Sequence, residues 1–170
     1  MPLDEVSRTL TAPGGAFPPA QLECRELRWS VRTSFFRYLA GLRDGRASVS
    51  GGAALTADDP QLVVYPADPD RSDGGVLAFR GDLRLGGHGG LLFVRLANPR
   101  IRLGTPAVLS VDDPLTEDGS GPRLDLVTLR LAADDEGGWS GTDVQLTEAG
   151  VGLFNHVYAA GDAFDPLTVR

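Results

Sequence analysis

The most informative segment of the chain is Trp29-Ser-Val-Arg-Thr-Ser-Phe-Phe-Arg-Tyr-Leu-Ala-Gly41. Its pattern predicts the end of a strand that turns into a short helix. On such a helix Ser34 and Tyr38 point the same way, because residues four apart lie one turn apart on one face. Phe35 and Leu39 form a second pair of this kind, about a quarter-turn round. The segment therefore predicts a helix with one face that carries Ser34 and Tyr38 and another that packs on a core.

A second informative segment is Gly86-Gly87-His88-Gly89-Gly90, which holds one of the two histidines of the chain. Glycines leave bare backbone that another group can approach closely. Composition alone allows two interpretations, either a tight hairpin with an incidental exposed histidine or a cleared space in which His88 reaches a ligand. Tyr38 also has a purely structural interpretation, in which its ring packs in the hydrophobic core and its hydroxyl faces solvent. Our hypothesis is that Tyr38 and His88 meet over a flat ligand.

Length and composition favour a single domain. The 170 residues divide into an extended, proline- and glycine-rich arm at 1–21 and one domain at 22–170. A chain of this size buries roughly 70% of its unfolded surface, so it can form a core without covalent cross-links. The single cysteine, Cys24, excludes an intrachain disulfide framework, and together with only two histidines it argues against a zinc centre.

The charge pattern excludes several classes of partner and chemistry. A formal net charge of -7 argues against nucleic acid, which requires a basic surface, and against an anionic membrane surface. All 16 basic residues are arginine, which excludes a P-loop lysine and a Schiff-base lysine. The acidic N-terminus is unlike a signal peptide, and no apolar run approaches the roughly 20 residues of a membrane span. We therefore expect a cytoplasmic protein with no membrane and no nucleic-acid partner.

Glycine and proline divide the chain into short strand-like runs. The predicted strands are Leu22–Val31, Arg46–Ala54, Gln61–Tyr65, Val76–Leu85, Leu91–Leu96, Arg100–Leu103, Ala107–Val111, Leu124–Ala132 and Trp139–Leu146. Two short helices are predicted, at about 33–42 and 147–158. Asp165-Pro166-Leu167 is interpreted as a final turn into the tail. Strands at near-regular spacing without intervening helices predict a mainly β fold, an antiparallel β-sandwich-like domain with two short α-helices.

The other polar and aromatic residues have structural interpretations. The acidic clusters are typical of solvated turns, and neither histidine has a neighbouring serine or cysteine that would indicate a catalytic triad. Tyr65 lies in an apolar strand and is predicted to be core, whereas His156 is predicted to be on the surface. Tyr158 has the same structural interpretation as Tyr38, with its ring in the core and its hydroxyl in solvent, and the same alternative of contact with a ligand. The sequence therefore predicts that the protein is not an enzyme.

Three segments, in the expected order, together resemble the HtaA-type heme-binding domain of bacterial heme uptake systems. They are the Trp29–Gly41 segment, Phe79-Arg-Gly-Asp-Leu-Arg-Leu-Gly-Gly-His-Gly-Gly-Leu91 continuing to Leu96-Ala-Asn-Pro-Arg-Ile101, and Val157-Tyr-Ala-Ala-Gly-Asp-Ala-Phe-Asp-Pro-Leu167. The resemblance covers about residues 22 to 169. The second segment is the most specific, since Gly-His-Gly-Gly before Leu and an Asn-Pro turn is uncommon.

The resemblance implies a β-rich fold with two short helices and a single b-type heme with ferric iron. It implies that Tyr38 is the axial iron ligand and that His88 hydrogen-bonds this tyrosine. It further implies that Ser34 lies near a propionate and that Tyr158 contacts heme. Family members often have another aromatic residue just before that last position, where this chain has Val157, so a different or weaker contact is expected there.

The chemistry of these side chains agrees with such a site. A phenolate is a hard anionic oxygen donor that suits ferric iron, as in the tyrosine ligation of catalase. A hydrogen bond from His88 favours the charged phenolate, whereas ferrous iron is softer and is held less well. Such a site suits heme capture, storage or transfer better than oxygen chemistry. Arg32 and Arg37 are further candidates to pair with a propionate, ranked below Ser34.

The implied partners are heme and another heme protein for transfer, with the domain as a monomer or as a heme-mediated dimer. Family members usually act outside the cell, whereas this N-terminus predicts an intracellular heme binder. Two other functions stay open on the sequence. One is a β-sandwich protein-interaction module of the same fold without heme, and the other is a heme-dependent or heme-degrading enzyme.

Overall fold

The computed structural model describes residues 24–59, 61–115 and 121–170. The predicted arm at 1–21 lies outside the described residues. Within them the strands are β1 Glu26–Trp29, β2 Arg46–Ser50, β3 Ala54–Leu55, β4 Val63–Pro66, β5 Val76–Ala78, β6 Asp82–Gly87, β7 Leu92–Ala97, β8 Arg100–Arg102, β9 Ala107–Asp112, β10 Arg123–Ala133, β11 Trp139–Leu146 and β12 Leu167–Val169. One α-helix, α1, spans Thr33–Ala40. None of the helices in the described part of the chain is long and apolar enough to cross a membrane.

The strands form two antiparallel sheets. The larger has nine strands in the order β3-β4-β1-β12-β11-β10-β9-β8-β5, and the smaller has three in the order β2-β6-β7. Both sheets and α1 contribute to one hydrophobic core, which joins Leu27 of β1, Leu85 of β6 and Phe35 of α1. Alternation along β6 buries Leu83 and Leu85 and exposes Arg84, as a strand with one wet face requires. The predicted mainly β, sandwich-like fold is confirmed.

The hairpin that runs from β5 to β8 changes sheets halfway along. β5 pairs with β8 in the larger sheet, whereas β6 pairs with β7 in the smaller one. At the change, the Asn98 N–H donates to the Gly81 carbonyl at 2.8 Å, and the Gly81 N–H donates to Asn98 Oδ1 at 3.1 Å. Gly81 has a φ of 134°, and a Cβ there would lie 2.5 Å from the Cβ of Ala53. The predicted strand Val76–Leu85 is therefore two strands, joined at a corner that requires glycine.

The segment predicted as a second α-helix is a series of turns. Only Gly152–Phe154 is helical, as a single 3-10 turn. Asn155 and His156 follow in the left-handed region, with φ of 53° and 60°, so the α-helical path ends there. Glycines at 150 and 152 further weaken a helix that the apolar spacing alone favours. The fold class stands, with one α-helix and short 3-10 turns in place of two α-helices.

The last residues form a central strand. β12 lies between β1 and β11, pairing antiparallel with both. The sequence predicted only a turn into a tail, because three residues after a proline carry no strand periodicity. This strand brings Asp165 next to α1, where its Oδ2 accepts a hydrogen bond from the Thr33 N–H at 2.9 Å and another from the Thr33 hydroxyl. Neither Thr33 nor Ser34 caps the helix; Asp165, far away in sequence, satisfies its first amide.

Candidate ligand-binding site

An open cavity of about 590 Å³ lies where three segments of the chain meet. Small-molecule sites commonly occupy roughly 300–1,000 Å³. The three segments are α1, the turn between β6 and β7, and the turns after Gly152. The walls of the cavity are formed by Ser34, Phe35, Tyr38, His88, Leu91, Leu92, Asn155, Val157 and Tyr158. The structure thus places all four predicted site residues, Ser34, Tyr38, His88 and Tyr158, in the wall of one cavity.

Tyr38 and His88 form a polar pair in this mostly apolar wall. The Tyr38 side chain is 50% exposed, and its hydroxyl shares a hydrogen bond with Nε2 of His88, which is also exposed. The two ring centroids lie 5.8 Å apart with an interplanar angle of 49°. A neutral phenol donates this hydrogen bond, whereas a phenolate accepts it from an Nε2–H imidazole. The pair therefore presents an oxygen donor to the cavity with a partner able to stabilise its charged form.

Asp44 holds the turn that carries His88. Its Oδ1 accepts a hydrogen bond from the His88 N–H at 3.1 Å, and its Oδ2 accepts one from the Gly89 N–H at 2.6 Å. His88, Gly89 and Gly90 all have positive φ, at 53°, 64° and 94°. The Gly89 amide, together with the His88 amide, holds the pKa of the Asp44 carboxyl below its usual range against the opposing effect of burial. Asp44 thus fixes the left-handed turn from which the imidazole reaches Tyr38.

Ser34 and Tyr158 also line the cavity, and Arg32 lies beside them. The Arg32 guanidinium lies over the Tyr158 ring, 4.2 Å from its centroid, and its Nε donates to Ser34 Oγ at 3.1 Å. Burial raises the pKa of the Tyr158 phenol, and the positive charge of Arg32 offsets this in part. Tyr158 therefore stays a neutral phenol at physiological pH.

Four aromatic side chains form a cluster beside the cavity, and two of them, Phe35 and Tyr158, also line it. Phe154 is 1% exposed. Its ring centroid lies 5.6 Å from that of Phe35, 5.7 Å from that of Tyr158 and 5.1 Å from that of Phe164, in edge-to-face geometry. Such aromatic pairs contribute about 0.5–1.5 kcal/mol each beyond the burial of their area. The cluster connects α1 to the C-terminal turns and so sets the distance between two of the cavity walls.

Other titratable residues lie away from this cavity. His156 is exposed and does not line it, as predicted, and Tyr65 is buried with its hydroxyl donating to the Leu96 carbonyl at 3.1 Å. Within the described ranges no three His, Cys, Asp or Glu side chains group in a way that could hold a metal ion. A smaller cavity of about 360 Å³ lies elsewhere, lined in part by Thr128, Arg130 and Asp143. The Tyr38–His88 cavity is thus the one that unites the predicted residues.

Sequence reasoning missed the residues that position the site. Asp44 lies 44 positions before His88, and Asp165 lies 132 positions after Thr33. No local pattern connects such partners, because an isolated aspartate in a turn is ordinary turn chemistry. The sequence ranks Arg32 below Ser34 as a partner for a propionate. Its position against Tyr158 depends on the path of the C-terminal turns.

The fold and the cavity define a β-rich ligand-binding domain whose site pairs an exposed tyrosine with a histidine. A family model described as Htaa matches residues 24–170. The chain therefore belongs to the HtaA family, and the resemblance drawn from the three segments is confirmed. No curated protein matches the chain by sequence above the level expected by chance.

Three crystal structures of domains from two Corynebacterium glutamicum proteins share the fold. The N-terminal domain of HtaA is 24% identical with a TM-score of 0.65, over 86% of this chain and 96% of that one. The C-terminal domain of HtaA is 23% identical with a TM-score of 0.62, over 86% and 94%. The heme binding protein HtaB is 20% identical with a TM-score of 0.63, over 86% and 91%. At such identities these likenesses establish the fold.

Proposed function

We propose that this protein binds one b-type heme with ferric iron through the oxygen of Tyr38. The observation that carries the proposal is the exposed Tyr38 hydroxyl, paired with His88 and facing an apolar cavity of about 590 Å³. Apolar walls suit the flat face of a tetrapyrrole, and an anionic oxygen suits ferric iron. Membership of the HtaA family, with a relative described as a heme binding protein, points the same way.

The other wall residues have separate roles in this proposal. His88 donates to the phenolate of Tyr38 and so favours its charged form, because hydrogen bonding to the charged form of a group stabilises that form. Phe35, Leu92 and Tyr158 offer flat or apolar contact. Ser34 offers a hydroxyl to a propionate. When bound, heme supplies the Lewis-acidic iron; the chain supplies the oxygen donor and the shape of the cavity.

Capture, storage or transfer of heme follows from this arrangement. Tyr38 is half exposed, and Leu91 and Val157 at the rim are 86% and 66% exposed, so the cavity opens directly to solvent. An accessible site suits exchange with another heme protein, as a monomer or as a dimer formed through bound heme. We infer binding and transfer in place of catalysis.

Titration of the purified protein with hemin tests the proposal. The wild type should give a Soret band and a high-spin charge-transfer band with one equivalent of hemin. Tyr38→Phe keeps the ring but removes the oxygen donor, so it should lose the charge-transfer band and tight binding, and Tyr38→Ala should behave likewise. Tyr158→Phe is the matched control and should keep both bands.

Two results would contradict the assignment. If Tyr38→Phe binds hemin as wild type does, another residue holds the iron. If hemin leaves the visible spectrum of the wild type unchanged, the domain is better explained as a protein-interaction module of the same fold. Turnover of hemin in the presence of a reductant would instead favour an enzyme.

A further inference from the structure

A second cavity lies on the larger sheet and shares no lining residue with the Tyr38–His88 cavity. Its volume of about 360 Å³ is near the lower end of the range for small-molecule sites. The neighbouring strands β10 and β11 form one wall, and the loop at 104–106 between β8 and β9 forms another. The position of the cavity makes it independent of the proposed heme site.

A β-bulge in β11 shapes the wall of this cavity. Thr128 pairs with Gln145 and Arg130 pairs with Thr142, so β11 has one residue more than β10 between these two pairs. Asp143 lies in the bulge with a φ of 52°, a left-handed conformation that aspartate adopts more readily than most residues. Bulges are frequent next to active sites, where they re-aim side chains. This bulge places the Asp143 carboxylate in the same cavity wall as Arg130 of the neighbouring strand.

The cavity wall carries groups of opposite charge that do not pair with each other. Gln145 Nε2 donates to Asp143 Oδ1 at 2.9 Å, and Oδ2 of Asp143 accepts no hydrogen bond in the part of the chain that the structure describes. Within the described ranges Arg130 forms neither an ion pair nor a hydrogen bond. The cavity therefore presents a cationic donor on β10 and anionic and amide acceptors on β11, with a gap between them.

We propose that this cavity binds a small zwitterion of the class of the free α-amino acids. The Arg130 guanidinium binds the carboxylate of the ligand, because its N–H donors match a carboxylate in geometry and charge. Asp143 Oδ2 and Gln145 Oε1 accept hydrogen bonds from the ammonium group, which has three donors and no acceptor. The two charges of an α-amino acid lie close together, so one small molecule bridges a gap that is too wide for a direct ion pair. Each charge of the ligand thus meets its opposite.

The test is an NMR titration of the isotope-labelled protein with L-alanine at neutral pH and constant ionic strength. Saturable shifts should appear at the backbone amides of Gly104, Arg130 and Asp143 and at the side-chain amide of Gln145. Because exposed charges interact weakly, the dissociation constant should be of millimolar order. N-acetyl-L-alanine lacks the ammonium group and L-alaninamide lacks the carboxylate, so each should bind about 5-fold more weakly.

Two variants assign the charges of the ligand to their partners. Arg130→Leu should bind L-alanine about 5-fold more weakly and lose the preference over L-alaninamide. Asp143→Asn should lose the preference over N-acetyl-L-alanine, and asparagine also tolerates the left-handed backbone. Arg43→Leu is the matched control, because Arg43 is exposed and does not line the cavity. All three variants change exposed side chains, so their melting temperatures should match that of the wild type.

The outcomes separate this inference from the proposed function. A wild type without saturable shifts at about 50 mM L-alanine, well above a millimolar constant, overturns the proposal. Equal binding of L-alanine and its two derivatives, or equal binding of D-glucose, also overturns it, because the site then does not recognise a zwitterion. Unchanged L-alanine binding by Arg130→Leu places the ligand elsewhere and has the same consequence. Hemin binding by Arg130→Leu should equal that of the wild type whichever result is found.

Discussion

Replacement of His88 tests whether the hydrogen bond to Tyr38 contributes to ligand binding. His88 has a φ of 53°, a left-handed conformation that most side chains adopt only at a cost of about 1–2 kcal/mol. His88→Ala would therefore combine loss of the imidazole with backbone strain. Asparagine tolerates this conformation, and its shorter amide does not reproduce the imidazole contact, so His88→Asn isolates the loss of the contact.

The chain offers a matched control in His156. It is the other histidine, it is exposed, and its φ of 60° is also left-handed, yet it does not line the cavity. His156→Asn therefore repeats the chemical change and the backbone situation of His88→Asn without touching Tyr38. A difference between the two variants reports what the His88 imidazole contributes to the cavity, and a shift of the charge-transfer band reports its contact with Tyr38.

The expected magnitude follows from the geometry. In the proposed site His88 acts on the iron through Tyr38, and removal of such an outer partner commonly weakens metal binding about 10–100-fold. Both side chains are exposed, so water replaces part of the lost hydrogen bond and the effect should lie near 10-fold. The charge-transfer band should move as well, since the phenolate loses its hydrogen-bond donor.

Hemin titration, followed by the Soret band, measures this effect in wild type, His88→Asn and His156→Asn. The three proteins should unfold at similar temperatures, because neither histidine is buried. The reasoning is refuted if His88→Asn binds as tightly as His156→Asn and shows the same spectrum. In that case the Tyr38–His88 contact is present but irrelevant to binding.

Two further predictions concern the residues that support this pair. Asp44→Asn leaves one amide of the His88 turn without a carboxylate acceptor, so hemin affinity should fall by less than the roughly 10-fold expected for His88→Asn, and the exposed Asp58→Asn should change nothing in the same titration. Phe154→Ala should cost about 3–5 kcal/mol of stability and lower the melting temperature by roughly 6–20 °C, since its ring is buried against Phe35 and Tyr158 of the cavity wall. The half-exposed Phe93→Ala is its calorimetric control, and equal melting of the two variants would contradict the supporting role of the cluster.

The strands are predicted well where burial alone sets the pattern. β11 was predicted with the bounds Trp139–Leu146 that the structure has, because its apolar positions and flanking glycines are local signals. Val76–Leu85 alternates just as regularly, yet the chain changes sheets at Gly81. The requirement for glycine comes from Ala53, which occupies the space of a Cβ there. That neighbour is invisible to a periodicity that compares only residues close in sequence.

In the C-terminal segment, too, the local sequence pattern does not determine the structure. Its apolar spacing resembles a helix, but left-handed backbone at Asn155 and His156 ends the path after one 3-10 turn. Leu167–Val169 is too short to show alternation, yet it is a central strand because β1 and β11 leave a position between them. Tertiary pairing decides both cases and overrides the local preference.

The sequence predicted the individual residues of the candidate site better than it predicted how they come together. Helical spacing placed Ser34 and Tyr38 on one face, and the glycines singled out His88. Composition left open whether these residues meet, and the family resemblance supplied that step together with Tyr158. The three segments come together only in the folded chain, which is why Asp44 was not found.

The wall of the cavity is assembled by contacts that do not involve a ligand. Asp165 holds the first turn of α1, Asp44 holds the His88 turn, and the Phe154 cluster connects α1 to the C-terminal turns. Each contact would otherwise have to be formed, at an entropic cost, when the ligand binds. Because the Tyr38–His88 pair is already formed, binding of a ligand does not have to order these two side chains. A preformed and solvent-open site of this kind suits the proposed function, because a preformed wall favours binding and an open rim gives a short path for release.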